Sequence, residues 1–256
     1  MVKPGIGIAY CVNDSRPYRR MLDTSIQSFK RFNESWPIEV VKLSAGTDLF
    51  GTIRWHLGSR AEAMTRRWIG DRSGREARKN AIAEKIRLFS DPPFEKTLFV
   101  DCDTIILRPL AGLFETIRTD VDVVVQQWMP GEFYSPAPPF TTQRFRRFNS
   151  GFVYFTRAFS ERCRDCVRGC EVDIVNLHDQ DQYVFSRVLE LIEPARVFEH
   201  TTLQLTNRPS ELNSLGFGGQ ATALKKIVVD RSDYFFYHYV YKKKASLANI
   251  RQWIDA

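Results

Sequence analysis

The sequence contains no apolar run that approaches the roughly 20 residues needed for a membrane-spanning helix. Its first residues, Met1 to Ile6, carry one positive charge and no sustained apolar segment, so they do not predict a signal peptide. We also find no internal repeat and no linker in the sequence. These absences lead us to expect a single domain over residues 1–256 and a cytoplasmic location.

Cysteine is scarce, with five residues in the chain. Cys163, Cys166 and Cys170, with His178 further on, have the outline of a zinc site, but the second CxxC pair of such a site is missing. The segment from Phe159 to Cys170 has a helical pattern, and cysteine is readily buried as a small hydrophobic residue. We therefore interpret these cysteines as one buried helix face, and a cytoplasmic location argues against structural disulfides.

Acidic residues are outnumbered, since 37 Lys and Arg stand against 30 Asp and Glu, for a net charge of +7. The excess is concentrated between Arg60 and Asn80, at Arg144 to Arg147, and at Lys242 to Lys244. A polyanionic partner suits such a charge distribution, whether nucleic acid, anionic lipid or a diphosphate substrate. A solvated basic surface explains most of these residues equally well, so charge alone does not choose among partners.

Short apolar runs alternate with helical patterns along the chain. Ile6 to Val12, Ile38 to Leu43 and Val121 to Val125 predict buried strands. Ala77 to Phe89 predicts a helix that ends before Asp91-Pro92-Pro93. The alternation predicts an α/β fold with a mostly parallel central sheet flanked by helices, in which ligands bind at the carboxyl ends of the strands.

The apolar run from Thr97 to Leu107 predicts one buried strand, and two carboxylates stand at its centre. Asp101 and Asp103 are separated by one residue, so in a continuous strand both side chains would lie on the same face. Buried unpaired charges are costly, and a divalent cation that prefers oxygen ligands would offset that cost. The alternative is a strand end whose acids reach solvent or cap the next helix.

Further polar motifs follow in order: Asn149-Ser150-Gly151 before an apolar strand, Asp179-Gln180-Asp181 before a helix, and His238 in an aromatic run. Each also has a plain structural explanation. The asparagine motif is typical of a bulge, the acids of helix caps, and a lone histidine among aromatic residues of a hydrogen-bonded core position.

Taken together and in this order, the motifs resemble the GT-A glycosyltransferases, and within them the retaining group of glycogenin and the bacterial lipooligosaccharide galactosyltransferases. The resemblance runs from about Ile6 to Lys244. It implies a Rossmann-like GT-A domain that transfers a sugar from a nucleoside diphosphate sugar, with UDP expected, to a hydroxyl acceptor. The acceptor would be a glycan, a lipid-linked glycan or a glycoprotein, and the stereochemistry would be retained.

The resemblance also implies roles for individual residues. A divalent metal, manganese or magnesium, would be bound by Asp101, Asp103 and His238. The donor sugar and the catalytic centre would involve Lys85, Asn149, Asp179, Gln180 and Asp181. The nucleotide and its diphosphate would contact Tyr10, Val12, Asn13, Cys102 and Lys244. Lys85 is chosen for its spacing, and Arg78 or Arg87 on the same predicted helix would serve as alternatives.

The sequence departs from the family pattern at three places, one of which is the proline-rich loop after Trp128, which does not align with the family. Tyr183-Val184-Phe185 follows the Asp-Gln-Asp motif where a small apolar residue and asparagine are usual, and the stretch from Gly46 to Arg75 is unusually basic. These departures bear on the sugar and the acceptor more than on the metal and the diphosphate.

Two other functions compete with this interpretation. A nucleotidyltransferase on a similar sheet would carry a glycine-rich loop after its first strand, but Asn13 to Pro17 lacks glycine. A nucleic-acid-binding protein would need its three basic clusters on one face, and we expect no nucleic-acid partner. The apolar spacing from Leu247 to Ile254 predicts an amphipathic end that either contacts a membrane surface or docks on the core.

Overall fold

The structure is a computed structural model, and it describes residues 5–13, 16–43, 84–85, 87–117, 121–126, 133–134, 145–146, 148–161, 164, 182, 185–186, 188–189, 197–199, 204–206, 233–239 and 250. Several predictions fall outside these residues. They concern Asp179, Gln180 and Asp181, Lys244, and the cysteine cluster of Cys163, Cys166 and Cys170 with His178.

The described strands, in chain order, are β1 (Ile6–Asn13), β2 (Ile38–Leu43), β3 (Lys96–Asp101), β4 (Thr104–Ile106), β5 (Val123–Val125), β6 (Phe133–Tyr134), β7 (Phe145–Arg146), β8 (Phe152–Thr156), β9 (Val197–Glu199), β10 (Gln204–Thr206) and β11 (Phe236–His238). The helices with defined ends are α1 (Arg16–Lys30) and α2 (Ala111–Thr116). Residues 84–85, 87–90 and 157–161 are also helical.

The central sheet has six strands in the order β2-β1-β3-β8-β5-β9. β2, β1 and β3 are parallel to one another, as are β5 and β9, while β8 runs antiparallel to both of its neighbours. The prediction of a mostly parallel sheet is therefore confirmed. A smaller sheet has the order β10-β11-β4, and β6 and β7 form a separate two-stranded ribbon.

Two apolar clusters cover the two faces of the central sheet. Along β1, Ile8 and Tyr10 belong to one cluster together with Phe29 of α1, whereas Ala9 belongs to the other with Phe89. Because alternate residues of one strand are buried in opposite directions, the strand needs apolar side chains at every position. This explains why β1 is a nearly continuous apolar run.

The run that carries the two aspartates is not one strand, and that prediction was wrong. β3 ends at Asp101, Cys102 and Asp103 form a turn, and the chain continues as β4 in the smaller sheet. The physical reason lies in the cost of burying charge: a carboxylate in the middle of a fully covered strand has no partner, while one at the carboxyl end reaches the edge of the sheet. The turn, and not strand alternation, brings the carboxylates together.

Side chains of α1 and the turn after it hold the segment that follows Asp103. Ser25 Oγ donates to the carbonyl oxygen of Thr104, and the amide of Ile106 donates to Ser28 Oγ at 3.0 Å. The amide of Leu110 donates to Asn33 Oδ1 at 3.1 Å. The other edge of β4 pairs with β11, so this short strand has hydrogen-bond partners on both sides.

Candidate metal centre

Asp101, Asp103 and His238 converge at the carboxyl end of β3. One ligand atom from each lies within 4.8 Å of the other two. His238 Nε2 is 3.1 Å from Asp103 Oδ1 and 4.0 Å from Asp101 Oδ2. The side chains of Asp103 and His238 are 9% and 5% exposed, and that of Asp101 is 28% exposed. The cluster is therefore buried on the histidine side and reaches the surface through Asp101.

The pairing of β11 with β4 brings the distant histidine to the aspartates. His238 lies opposite Thr104 in the antiparallel register of the two strands. Just beyond this pair, the amide of Tyr239 donates to the carbonyl oxygen of Asp103 at 2.9 Å. The residue after β11 and the residue before β4 are thus joined by a backbone hydrogen bond.

Lys85 lies on the other side of Asp101. Its ammonium is buried, 3.0 Å from Asp101 Oδ1 and 3.3 Å from Ser150 Oγ, and it sits over the ring of Phe99 at 4.8 Å from the centroid. One carboxylate oxygen of Asp101 therefore faces the lysine while the other faces His238. The ion pair fixes the orientation of the carboxylate.

The Asn-Ser-Gly motif contacts Asp101, Lys85 and His238. The amide of Asp101 donates to the carbonyl oxygen of Gly151 at 2.8 Å, and the amide of Gly151 donates to Asn149 Oδ1 at 2.7 Å. The Cα of Gly151 packs against the imidazole of His238. The sequence predicted no functional role for Ser150 or Gly151, although both belong to the Asn-Ser-Gly motif that precedes an apolar strand.

The donor set fits a divalent cation. Ligands about 2.1 Å from an octahedral ion lie about 3.0 Å apart when adjacent and about 4.2 Å apart when opposite. The two distances from His238 Nε2, 3.1 and 4.0 Å, span that interval. Two carboxylates and an imidazole suit manganese or magnesium better than a soft metal, which favours thiolates.

Of the residues expected at the nucleotide, the structure describes Tyr10, Val12, Asn13 and Cys102, which lie on β1 or in the turn beside Asp101. β1 is the neighbour of β3, with Cys11 opposite Asp101, and it ends at Asn13. Tyr10, Val12 and Cys102 are buried in the core cluster. Their contact with a nucleotide stays a prediction, and the burial of their side chains points to a packing role for those side chains.

Tyr10 in particular is held inside the core. Its hydroxyl lies 3.1 Å from Ser25 Oγ, and burial, the largest effect, raises the pKa of Tyr10 well above its usual range. The neutral phenol is therefore maintained at physiological pH.

Helices that could span a membrane do not occur in the described part of the chain, since each one there is too short or too polar. Of the predicted amphipathic end, the described residue is Ile250, which is buried in the core cluster. This residue therefore docks on the protein itself.

No protein-family model matches the sequence, and a search of curated proteins finds no match either. Solved structures do match in three dimensions. A glycosyltransferase involved in glycosylation of the major capsid of PBCV-1 shares 12% identity, covers 97% of this chain and 100% of its own, and has a TM-score of 0.55. The galactosyltransferase LgtC, solved with donor and acceptor sugar analogues, shares 14% identity over 97% of this chain and 95% of its own, with a TM-score of 0.54.

The bifunctional glycosyltransferase WbbM also matches, at 11% identity and a TM-score of 0.58. The match covers 99% of this chain but 50% of WbbM, so the chain spans half the length of that enzyme. At such low identities the likeness concerns the fold. Together with the mostly parallel sheet, these matches establish that the chain has the GT-A fold, as the resemblance of its motifs implied.

Proposed function

We propose that the protein is a metal-dependent glycosyltransferase that moves a sugar from a nucleoside diphosphate sugar to a hydroxyl acceptor. The observation that carries this proposal is the convergence of Asp101, Asp103 and His238 at the carboxyl end of a central strand in a GT-A fold. Ligand sites in open α/β sheets lie at this edge. The proposal includes UDP as the nucleotide and retention of stereochemistry, both of which rest on the resemblance of the motifs.

Asp101, Asp103 and His238 would hold a manganese or magnesium ion. Such an ion, when bound, supplies positive charge beside the diphosphate that leaves the sugar. The three ligands come from β3, the turn after it and β11. Because these segments are joined by backbone hydrogen bonds, the ligand set is preorganised and little conformational entropy is lost on binding.

Lys85 is assigned a different role from the one predicted for it. Its ammonium binds Asp101 and Ser150, so we assign it to holding the Asp101 carboxylate with one oxygen turned to the metal position. Its positive charge also lies close to where a diphosphate would accumulate negative charge. Direct contact of Lys85 with the donor, which the resemblance implies, stays a prediction.

Four further residues of the proposal lie outside the described part of the chain. Lys244 would contact the diphosphate, and Asp179, Gln180 or Asp181 would provide oxygens near the anomeric carbon. An oxocarbenium-like centre is stabilised by such groups. The solved LgtC complex with donor and acceptor sugar analogues supports this class of ligands for a chain of the same fold.

Release of nucleoside diphosphate from a panel of nucleotide sugars, with and without Mn²⁺, tests the function. We expect one nucleotide sugar to be hydrolysed slowly without acceptor, with at least about 100-fold loss in Asp103→Asn, because the metal ion that would stabilise the leaving diphosphate loses a ligand.

Asp122→Asn is the matched control. Asp122 is also buried, but it lies at the amino end of β5, where it accepts a hydrogen bond from the hydroxyl of Thr156 that asparagine can also accept. Turnover of every nucleotide sugar without metal, or equal activity in both variants, would contradict the proposal.

A further inference from the structure

Two consecutive residues, Ser150 and Gly151, each contact a different group of the metal centre, and Asn149 binds Gly151. The carbonyl oxygen of Gly151 accepts the amide hydrogen of Asp101 at 2.8 Å, and Ser150 Oγ lies 3.3 Å from the ammonium of Lys85. Asn149 closes the turn from within, because its Oδ1 accepts the amide hydrogen of Gly151 at 2.7 Å. Asn149 and Ser150 are 2% and 4% exposed, so these bonds are shielded from water.

Gly151 is also pressed against His238. A Cβ atom at position 151 would lie 2.6 Å from Cε1 and 2.9 Å from Nδ1 of the imidazole, and 3.0 Å from Asn149 Oδ1. Carbon contacts this short do not occur without displacement of one partner. The imidazole is itself buried, and among the described residues its Nδ1 has no hydrogen-bond partner. On the Nδ1 side, the position of the His238 ring is thus limited by contact with Gly151 and not by a hydrogen bond within the described chain.

We propose that the turn Asn149–Gly151 is the positioning element of the metal centre: it sets the His238 imidazole and the Asp101 carboxylate before any ligand binds. The identity of the ligand rests on the proposed function, but the positions of the two side chains do not. Groups that orient metal ligands in this way change metal affinity by about 10- to 100-fold when they are removed.

This assignment differs from the role that the family resemblance implies for Asn149. A residue that contacts the donor sugar would affect binding of the nucleotide sugar and leave Mn²⁺ affinity in its absence unchanged. A positioning residue acts on the metal site itself. Because Asn149 Oδ1 is already engaged by Gly151, its loss should weaken Mn²⁺ binding in the absence of any nucleotide.

The test measures Mn²⁺ binding to the full chain by calorimetry without nucleotide, together with nitrogen NMR of the histidine rings in the metal-free protein. The chain has four histidines, so the His238 signal is identified by its loss in His238→Asn. We expect Gly151→Ala to shift the His238 ring signals and to weaken Mn²⁺ binding by about 10- to 100-fold. Asn149→Ala should weaken it about 10-fold, and Asn149→Ser should restore part of the loss because a hydroxyl forms the same turn more weakly.

Two other glycines provide matched controls. At Gly112, in α2, an added Cβ meets nothing within 4 Å, so Gly112→Ala should leave both readouts unchanged. At Gly7, in β1, the Cβ would lie 2.5 Å from the ring of Phe94. Gly7→Ala should therefore lower stability without shifting the His238 signals, which separates a general loss of stability from displacement of the histidine.

Unchanged Mn²⁺ affinity in Gly151→Ala, or His238 signals that match those of Gly112→Ala, would overturn the positioning role. If the unsubstituted protein binds no Mn²⁺, the proposed function loses its metal site. The ring signals then decide the positioning role alone: a shift confined to Gly151→Ala and Asn149→Ala supports it, and no shift refutes it.

Discussion

At the scale of single residues, the geometry of the metal centre depends on which groups each carboxylate contacts. Asp101 divides its two oxygens between Lys85 and the side facing His238, while Asp103 has one oxygen against the imidazole. An aspartate that is partly buried needs such partners, because desolvation penalises an isolated charge. The partners that stabilise the acids without metal are therefore the same groups that orient them for it.

Replacement of Lys85 by methionine tests this division. We expect Lys85→Met to lower the free energy of unfolding by about 1 to 2 kcal/mol without metal, since a partly buried charged hydrogen bond is lost and its acceptor stays behind. Added Mn²⁺ should recover part of that loss, because a cation again neutralises Asp101. Urea denaturation with and without Mn²⁺ measures both values.

The exposed ion pair of Arg157 with Glu95, at 2.7 Å, supplies the control. Arg157→Met should cost less than about 1 kcal/mol and should be indifferent to Mn²⁺, as solvent screens exposed pairs. An equal response of both variants to Mn²⁺ would show that Lys85 does not act on the metal centre.

At the scale of secondary-structure elements, strands and helices bring the residues of the metal centre together, and the site depends most on β4. It is three residues long, follows Asp103 directly, pairs with β11 on one edge and is bound by serine side chains of α1 on the other. A strand this short has little stability of its own. Its position, and with it that of Asp103, is supplied by its two neighbours.

Ser28 carries the hydrogen bond that can be removed most cleanly. Ser28→Ala should lower the free energy of unfolding by about 1 to 3 kcal/mol, because the buried amide of Ile106 loses its acceptor. Hydrogen exchange of that amide should become faster, while the amides of the central sheet keep their order of protection.

Ser90→Ala is the comparison, since the Ser90 hydroxyl bonds locally to the carbonyl oxygen of Arg87 at an exposed position. It should change stability by no more than about 0.5 kcal/mol. Unaltered exchange at Ile106 in Ser28→Ala would indicate that α1 does not fix β4.

The sequence predicted those elements whose signal is local. The apolar runs of β1 and β2 are properties of neighbouring residues, and the structure has strands there. The break of the aspartate run at Cys102 was missed, because the run contains no glycine or proline that would indicate a turn. Local patterns do not encode the register that joins β4 to β11.

The site itself was predictable only through the order of its motifs. His238 is 135 positions from Asp103 along the chain, and nothing in its aromatic surroundings distinguishes a ligand from a core histidine. The family resemblance provided that link, and the two residues do converge. The supporting contacts of Ser150 and Gly151 arise only when the chain is folded, since they depend on close approach of β8, β3 and β11.

At the scale of the whole molecule, the positive net charge fits two kinds of polyanionic ligand. The charge of +7 suits a polynucleotide as well as a diphosphate. The two differ in what holds them: polynucleotide binding depends on many phosphate contacts and weakens steeply with salt, whereas a diphosphate held through three fixed ligands depends on the cation. The geometry of Asp101, Asp103 and His238 favours the second.

Calorimetric titration of UDP in moderate salt, with and without Mn²⁺, tests the metal-dependent donor site most directly. We predict binding that requires Mn²⁺, disappears in Asp103→Asn, persists in Asp122→Asn and is matched less well by other nucleoside diphosphates. Binding of no nucleoside diphosphate under either condition, together with salt-sensitive binding of polynucleotide by Asp103→Asn, would contradict the glycosyltransferase assignment and leave the aspartates as acids at the end of a strand.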